Sequence, residues 1–177
     1  MQTMRDATAG TAPATHTIVA SPLGDLTVVS RAGAITGLYF PNHWYRPDPR
    51  SFGETCDVGF DEVGRELSEY FGGQRRRFTV PLAAGGDGLQ RRVWDLVCRV
   101  PYGQTSTYGR LAAELGDGTT AQEVGAAVGR NPLCILIPCH RIVGSTGKPT
   151  GYAGGLRRKQ LLLDLERNAV ERASRLL

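Results

Sequence analysis

Alternation of apolar and polar positions in the first half of the chain predicts a small sheet and one helix. THTIVASPLG and DLTVVSRAG predict two strands joined by a Ser-Pro-Leu-Gly turn, and AITGLYF predicts a third. PNHWYRPDPRS has three prolines and predicts a loop. FDEVGRELSEYFGG predicts a helix that ends at Gly72-Gly73, and RRRFTVPL predicts a further strand. One face of this helix collects apolar side chains, namely Phe60, Val63, Leu67, Tyr70 and Phe71.

Helical patterns dominate the second half. LQRRVWDLVCRV predicts an amphipathic helix that Pro101 ends, and Thr107 is a suitable N-cap for a second helix, YGRLAAELG. A Gly-Asp-Gly turn leads into a third, TTAQEVGAAVGR, and this pair has the outline of a helix-turn-helix, which many helical hairpins share. LCILIP predicts a strand, a Gly-rich stretch follows, and LRRKQLLLDLERNAVERASRLL predicts a closing amphipathic helix.

These patterns predict an α+β protein of two domains. We expect residues 1–16 to form a disordered tail and residues 17–84 an N-terminal α/β domain. A Gly-rich linker at 85–88 then leads into a mostly helical domain at 89–177. A length of 177 residues with 41% hydrophobic residues is enough for a buried core. No apolar run approaches the ~18 residues of a membrane span, and the first residues lack the apolar core of a secretory signal.

Charge divides unevenly between the halves. Residues 1–87 carry a net charge of −2, whereas residues 88–177 carry +6, almost all of it from arginine. A basic half favours a polyanionic partner, although solvated surface charge gives the same pattern. The four cysteines, without a secretory signal, favour reduced thiols and a cytoplasmic location over a disulfide scaffold.

Pro138-Cys139-His140-Arg141 is the strongest candidate for chemistry. A thiol attacks as thiolate, and an adjacent histidine can promote its deprotonation; a buried structural cysteine is the alternative. Glu166 lies in the closing helix, where it could orient a histidine or form a surface pair with arginine. Asn131-Pro132 could end a helix or hold a loop beside Cys139.

Three further features are weaker. The helix at 120–130 is rich in Gly and Ala, which permits close approach of another helix or of a nucleic-acid backbone. Cys98 and Cys134 fit a core, and Cys56 with His16 or His43 has none of the spacings typical of a metal site.

IPCHRIVGSTGKPTGYAGGLRRKQLLLDLE, together with LQRRVWDLVCRVPYGQTSTYGRLAAELG upstream, resembles the O6-alkylguanine-DNA alkyltransferases. The resemblance is close over residues 88–167, whereas the first half matches mainly in its order of elements. It implies a ribonuclease-H-like N-terminal domain and a C-terminal domain with a helix-turn-helix. It implies a single-turnover repair protein without cofactor or metal, which takes an alkyl group, chiefly methyl, from O6-alkylguanine and less efficiently from O4-alkylthymine.

The resemblance also implies roles for single residues. Cys139 would accept the alkyl group, His140 would deprotonate it through a water, and Glu166 would orient His140. Asn131 would brace the cysteine turn, and Tyr108 would donate a hydrogen bond to the departing base.

The implied pocket is walled by Tyr152 and Ala153, and carbonyls of Cys139 and Ile142 would accept from the guanine amine. Double-stranded DNA would bind through its minor groove with the damaged base flipped out, and the protein would act as a monomer. The implied DNA contacts come from one helix and its cap: Thr120, Ala121, Gln122, Gly125, Ala126, Ala127, Gly129 and Arg130. Gln122 stands where the family usually has an arginine that enters the duplex, so weaker DNA binding or slower repair is expected.

Two other classes of function stay open. A non-catalytic helix-turn-helix protein could sense alkylated DNA, although Cys139 is present. A Cys-His-Glu hydrolase would need an oxyanion hole, and no motif for one is evident.

Overall fold

The computed structural model describes residues 12–175 and divides into two compact units. The N-terminal unit comprises the chain up to Gly85 together with Pro132–Leu136, and the C-terminal unit comprises Gly86–Asn131 and the chain from Ile137 onward. The expectation that all of 89–177 forms one domain is therefore corrected for Pro132–Leu136. The backbone explains it, because Leu38 N–H donates to the Pro132 carbonyl at 2.8 Å and Leu38 bridges Leu133.

A four-stranded sheet forms the centre of the N-terminal unit. Its strands are β1 (Ala14–Val19), β2 (Leu26–Arg31), β3 (Ala34–Tyr39) and β4 (Glu54–Thr55), in the order β3-β2-β1-β4. The first three pair antiparallel, as short turns between neighbouring strands require, and β4 adds to β1 in parallel. The predicted Ser21–Gly24 turn is confirmed, with Gly24 N–H donating to the Ser21 carbonyl at 3.1 Å.

The predicted disordered tail, residues 1–16, extends too far along the chain. Residues 14–16 already belong to β1, because Ala14, Thr15 and His16 pair with β2. Residues 1–11 lie outside the described part of the chain.

Helix α1 (Asp61–Phe71) follows the predicted pattern and ends at Gly72. It buries Val63, Leu67 and Tyr70. It also buries Glu66, whose carboxylate accepts from the backbone N–H groups of Thr79 (2.8 Å) and Val80 (3.4 Å). The Glu66 carboxylate thus accepts the backbone hydrogen bonds that a neighbouring strand would otherwise accept from residues 79 and 80.

Two predicted strands are wrong. Residues 75–82 form only an isolated bridge between Ile35 and Leu82, since Glu66 holds the preceding backbone. Residues 133–138 make a buried turn in which Ile135 has a φ of 71°, a left-handed conformation that interrupts any strand. Both runs are apolar because they are buried, and burial alone does not distinguish a strand from an irregular segment.

The C-terminal unit contains four helices in its described part. They are α2 (Gly88–Arg99), α3 (Tyr108–Leu115), α4 (Ala121–Gly129) and α5 (Leu156–Ser174). Asp87, Thr107 and Thr120 cap the first three through their side chains, so the predicted Thr107 cap is confirmed. The predicted linker 85–88 is too long, because Asp87 is already the N-cap of α2.

A two-stranded parallel ladder positions the residues of interest. It joins β5 (Ser106–Thr107) to β6 (Ile142–Val143), with Ser106 opposite Ile142. Cys139–Arg141, a single 3-10 turn, ends where β6 begins, and Tyr108 follows β5 directly. The ladder therefore brings the start of α3 to the Cys139 turn. Within residues 12–175 no helix has the length and apolar character needed to cross a membrane.

Gly53 provides a test of packing in the N-terminal unit. It has a φ of 75°, and a Cβ there would lie 1.7 Å from the Ala14 carbonyl oxygen. Gly59 has a similar φ of 88°, but no atom lies within 4 Å of the position that a Cβ on Gly59 would occupy. We expect Gly59→Ala to cost about 1–2 kcal/mol from backbone strain alone. Gly53→Ala should cost roughly 3 kcal/mol or more because β1 must also shift. Urea unfolding of both variants measures the difference, and equal losses would contradict the packing.

Candidate active site

Cys139 is held in the 3-10 turn by a buried amide. Its side chain is 4% exposed, and Asn131 is 1% exposed. Asn131 Nδ2 donates to the Ile137 carbonyl at 2.9 Å and to Cys139 Sγ at 3.1 Å. An N–H donor at sulfur favours the thiolate over the thiol, because a hydrogen bond to the charged form stabilises it.

The carboxylate of Glu166 has hydrogen-bond partners from two parts of the C-terminal unit, the Cys139–Arg141 turn and the loop that contains Gly103. His140 Nε2 lies 2.8 Å from Glu166 Oε1. Arg141 donates from Nη2 to Oε1 at 2.9 Å and from Nε to Oε2 at 3.0 Å, and Gly103 N–H donates to Oε2 at 2.9 Å. His140 and Glu166 are both fully buried. Such saturation is what a buried charge requires.

Electrostatics assign these groups their charge states. Burial alone would raise the pKa of Glu166, but the hydrogen bonds from His140 and Arg141 and the positive charge of Arg141 hold that pKa well below its usual value. Burial lowers the pKa of His140, and the nearby Glu166 only partly offsets this. Near neutral pH, the site therefore contains an anionic carboxylate and a neutral imidazole. If Nε2 donates to Glu166, Nδ1 is the basic nitrogen.

Tyr108 lies at the start of α3 beside a buried lysine. Its hydroxyl donates to the Thr150 carbonyl at 2.9 Å and accepts from Lys159 Nζ at 3.4 Å. Burial raises the pKa of Tyr108, and the Cys139 charge adds to the rise. Lys159 also donates to the carbonyls of Ile142 and Gly151. Burial lowers the pKa of Lys159 to about 8.

The segment after β6 carries the remaining predicted pocket residues. Tyr152 and Ala153 are each 7% exposed and lie in a turn closed by Gly155 N–H on the Tyr152 carbonyl. The two carbonyls expected to bind a guanine amine already have donors. Ile142 O accepts from Lys159, and Cys139 O accepts from Ile142 N–H. Each carbonyl oxygen has two lone pairs, so one existing hydrogen bond does not by itself exclude a ligand.

The expected DNA-contacting residues divide between two faces of α4. Most are at least partly exposed, namely Thr120, Ala121, Gln122, Gly125, Ala126, Gly129 and Arg130. Ala127 is a correction, since it is buried and its carbonyl accepts from Trp94 Nε1 at 2.9 Å. It faces the core of the unit and cannot line a groove. Gly125 lies against the Tyr108 ring, where a Cβ would make an ordinary contact at 3.8 Å.

Sequence reasoning missed three participants. Arg141 lies within the Pro138–Arg141 motif and pairs with Glu166, and the Gly103 N–H donates to the same carboxylate. Lys159 is fully buried, although the sequence patterns assign it no role. Its spacing gave a signal, because Lys159, Leu162 and Glu166 follow the i, i+3, i+7 stripe that α5 buries.

The arrangement combines a cysteine with a hydrogen-bonded sulfur, a neutral histidine fixed by a carboxylate, and a tyrosine beside a cation. These are the groups that a nucleophilic substitution at carbon needs. Among residues 12–175, no group of three or more His, Cys, Asp or Glu side chains is arranged to hold a metal ion.

Comparison with known families identifies both parts of the chain. Residues 88–168 match the 6-O-methylguanine DNA methyltransferase DNA binding domain, and residues 15–84 match the ribonuclease-like domain of the same proteins. The chain belongs to the 6-O-methylguanine DNA methyltransferase family. The α+β fold expected for such a protein is thereby confirmed, as is the family resemblance.

Individual members of the 6-O-methylguanine DNA methyltransferase family match most of the chain. A methylated-DNA–protein-cysteine methyltransferase of Mycobacterium tuberculosis is 40% identical over 156 residues, covering 84% of this chain and 89% of the relative. One of Methanosarcina barkeri is 39% identical over 154 residues, covering 86% and 97%. The crystal structure of the M. tuberculosis protein in complex with DNA has a TM-score of 0.80 at 37% identity, covering 88% of this chain and 94% of that one.

Glu166→Gln tests the buried charge network. Removing one partner of a buried pair should cost about 3–5 kcal/mol at pH 7, since Arg141 keeps its charge without the carboxylate. The pKa of Glu166 is depressed in the folded state, so its contribution is present above the usual value of 4.5 and is lost as pH falls. Below about pH 5, the unfolding free energy of the variant should therefore decrease less steeply with falling pH than that of the parent protein.

Glu171→Gln is the matched control, because Glu171 is exposed on the same helix. It should change stability by less than about 0.5 kcal/mol and leave the acid limb unchanged. Denaturant unfolding at several pH values measures both variants. Equal behaviour of the two would refute the assignment of Glu166 as the main buried anion.

Proposed function

We propose that this protein repairs DNA by transferring an alkyl group, chiefly methyl, from O6-alkylguanine to its own Cys139. O4-alkylthymine would be a poorer substrate. The contact that supports this most is the Asn131–Cys139 hydrogen bond, since it prepares one cysteine, inside the family's PCHR motif, as a nucleophile. The chain's membership of the methyltransferase family supports the same reaction.

The transfer is a substitution at the alkyl carbon. The Cys139 sulfur attacks, the S–C bond forms, and the bond from carbon to guanine O6 breaks. His140, neutral at rest, takes the thiol proton through a water molecule, and Glu166 stabilises the imidazolium that results. Arg141 already balances Glu166, so the carboxylate stays charged throughout.

Guanine leaves as a neutral base only if it gains a proton. Tyr108 is the donor we propose, because its hydroxyl now donates to the Thr150 carbonyl and could transfer that bond to the base. Lys159, 3.4 Å away, places a cation where negative charge would develop on the tyrosine oxygen. The imidazolium of His140 then loses its proton to water and the Tyr108 oxygen regains one from water, so that both residues return to their starting states. Overall, one hydrogen is lost from the thiol and one is gained by guanine, and the protein ends as a thioether.

A thioether has no hydrolytic exit, so each molecule would act once, and a monomer suffices. The exposed face of α4 would dock in the minor groove, with the damaged base flipped toward Cys139. Gly125, Ala126 and Gly129 allow the backbone to approach closely there. The four cysteines of the protein, all within residues 12–175, form no disulfide, which fits a reducing compartment such as the cytoplasm.

Incubation with duplex DNA containing O6-methylguanine tests the proposal. We expect one methyl adduct, a mass gain of about 14 Da, on the tryptic peptide that carries Cys139, at no more than one equivalent. Cys139→Ser should abolish the adduct, and Cys98→Ser should retain it. Turnover beyond one equivalent, or an intact damaged base, would reject alkyl acceptance. Binding of damaged DNA without transfer would favour a sensor, and ester hydrolysis would favour a hydrolase.

Gln122→Arg tests the consequence of the missing arginine. The added cation should tighten duplex binding about five-fold at low salt, the effect of one unit charge near a phosphate. Repair of methylated duplex should be faster below saturation. Gln160→Arg adds the same charge on α5, outside the helix-turn-helix, and should have a smaller effect. Unchanged affinity and rate in Gln122→Arg would show that position 122 does not limit repair.

A further inference from the structure

The helix-turn-helix is the acidic part of a basic domain. Residues 104–131 contain two arginines and three carboxylates, a net charge of −1. The rest of residues 88–177 carries +7. A motif that docks on phosphates ordinarily brings cations to them, because neutralising phosphates supplies most of the affinity. The acidic side chains in this motif therefore require an explanation.

The Glu123 side chain caps the N-terminus of α4, the helix to which it belongs. Its Oε2 accepts from Thr120 N–H at 2.8 Å and from Thr120 Oγ1 at 2.7 Å, while Thr120 Oγ1 accepts from Glu123 N–H at 3.2 Å. This reciprocal capping box uses donors that would otherwise be free to bind an anion. Both side chains are exposed, so they do not serve a buried core.

The charge at this helix end is permanent. Hydrogen bonds from the Thr120 backbone and hydroxyl lower the pKa of Glu123. Asp117, in the turn before α4, accepts from Thr119 N–H at 3.2 Å and from Arg92 at 2.7 Å, and its pKa is also lowered. The charge of Asp117 in turn acts on Glu123. Two carboxylates therefore stay ionised beside Gln122 at neutral pH.

We propose that Glu123 is a specificity-determining residue that weakens the grip of α4 on the DNA backbone. The proposal rests on the proposed function, since it takes α4 as the helix that meets the duplex. A phosphate approaching the N-terminus of α4 finds two of its backbone donors, the N–H groups of Thr120 and Glu123, already used and a fixed negative charge beside them. Binding then depends more on the damaged base in the pocket, and residence on undamaged duplex is short.

Glu123→Gln tests this, because glutamine keeps the capping box and removes only the charge. We expect the variant to bind undamaged duplex about five-fold tighter at 0.1 M salt, the ratio for one unit charge removed about 4 Å from a phosphate. Its log affinity should also fall more steeply with log salt. Its melting temperature should fall by no more than a few degrees, since only the charge at the helix N-terminus is lost, and this checks that the cap survives.

Glu114→Gln is the matched control. Glu114 is an exposed carboxylate on α3, 3.6 Å from Arg99, in the same motif. Its loss should change affinity less than two-fold. An equal gain in both variants would mean that only net charge matters, and would overturn the proposal. No change in Glu123→Gln would overturn it too. Weaker binding would also overturn it, since the carboxylate would then accept from a base, as from the guanine amine in the minor groove.

A second readout separates this inference from the proposed function. Transfer of the methyl group from free O6-methylguanine base to Cys139 needs no duplex, so its rate should be equal in the parent, Glu123→Gln and Glu114→Gln. Absence of transfer in all three, from base and from duplex, would reject the alkyl-acceptor function. Transfer with unaltered duplex affinity in Glu123→Gln would reject only the role of Glu123.

Discussion

The buried carboxylate of Glu166 ties together the parts of the C-terminal unit that carry chemistry. It accepts from the Cys139 turn through His140 and Arg141, and from the loop before β5 through Gly103. A carboxylate without water around it must be fully hydrogen-bonded, and losing one partner of such a pair costs about 3–5 kcal/mol. The same bonds that keep this charge inside the protein fix the imidazole of His140 next to Cys139, so the stability of the unit and the position of His140 depend on one group.

Lys159 is a second buried charged group that both stabilises the fold and lies at the candidate site. The backbone between β6 and α5 is irregular, and its carbonyls lack the neighbouring strand that would satisfy them. The ammonium donates to the carbonyls of Ile142, Thr150 and Gly151, and then reaches the Tyr108 hydroxyl. A cation that organises a loop thereby lies 3.4 Å from the Tyr108 hydroxyl, the acid that we propose. The lysine provides the donors that the carbonyls of the irregular segment need, and these carbonyls provide the acceptors that a buried cation needs.

Local patterns predicted the helices well because amphipathic spacing and caps such as Thr107 act within a few residues. Apolar runs misled the strand predictions, since Ile135 is buried in a left-handed turn and residues 79–80 bond to Glu66 instead of a strand. For the site, the motif and its family resemblance supplied Cys139, His140 and Glu166. The partner Arg141 needed the fold, because nothing local shows that it turns toward a helix some 25 residues later.

The placement of Pro132–Leu136 has a consequence for how the chain folds during synthesis. Leu38, in β3, binds the Pro132 carbonyl and bridges Leu133, so the N-terminal unit lacks part of its packing until residue 136 has been made. Domains usually fold in order as they leave the ribosome. Here the first unit must wait for α2, α3 and α4 to emerge. The nucleophile then follows within three residues of the last segment that completes the unit made first.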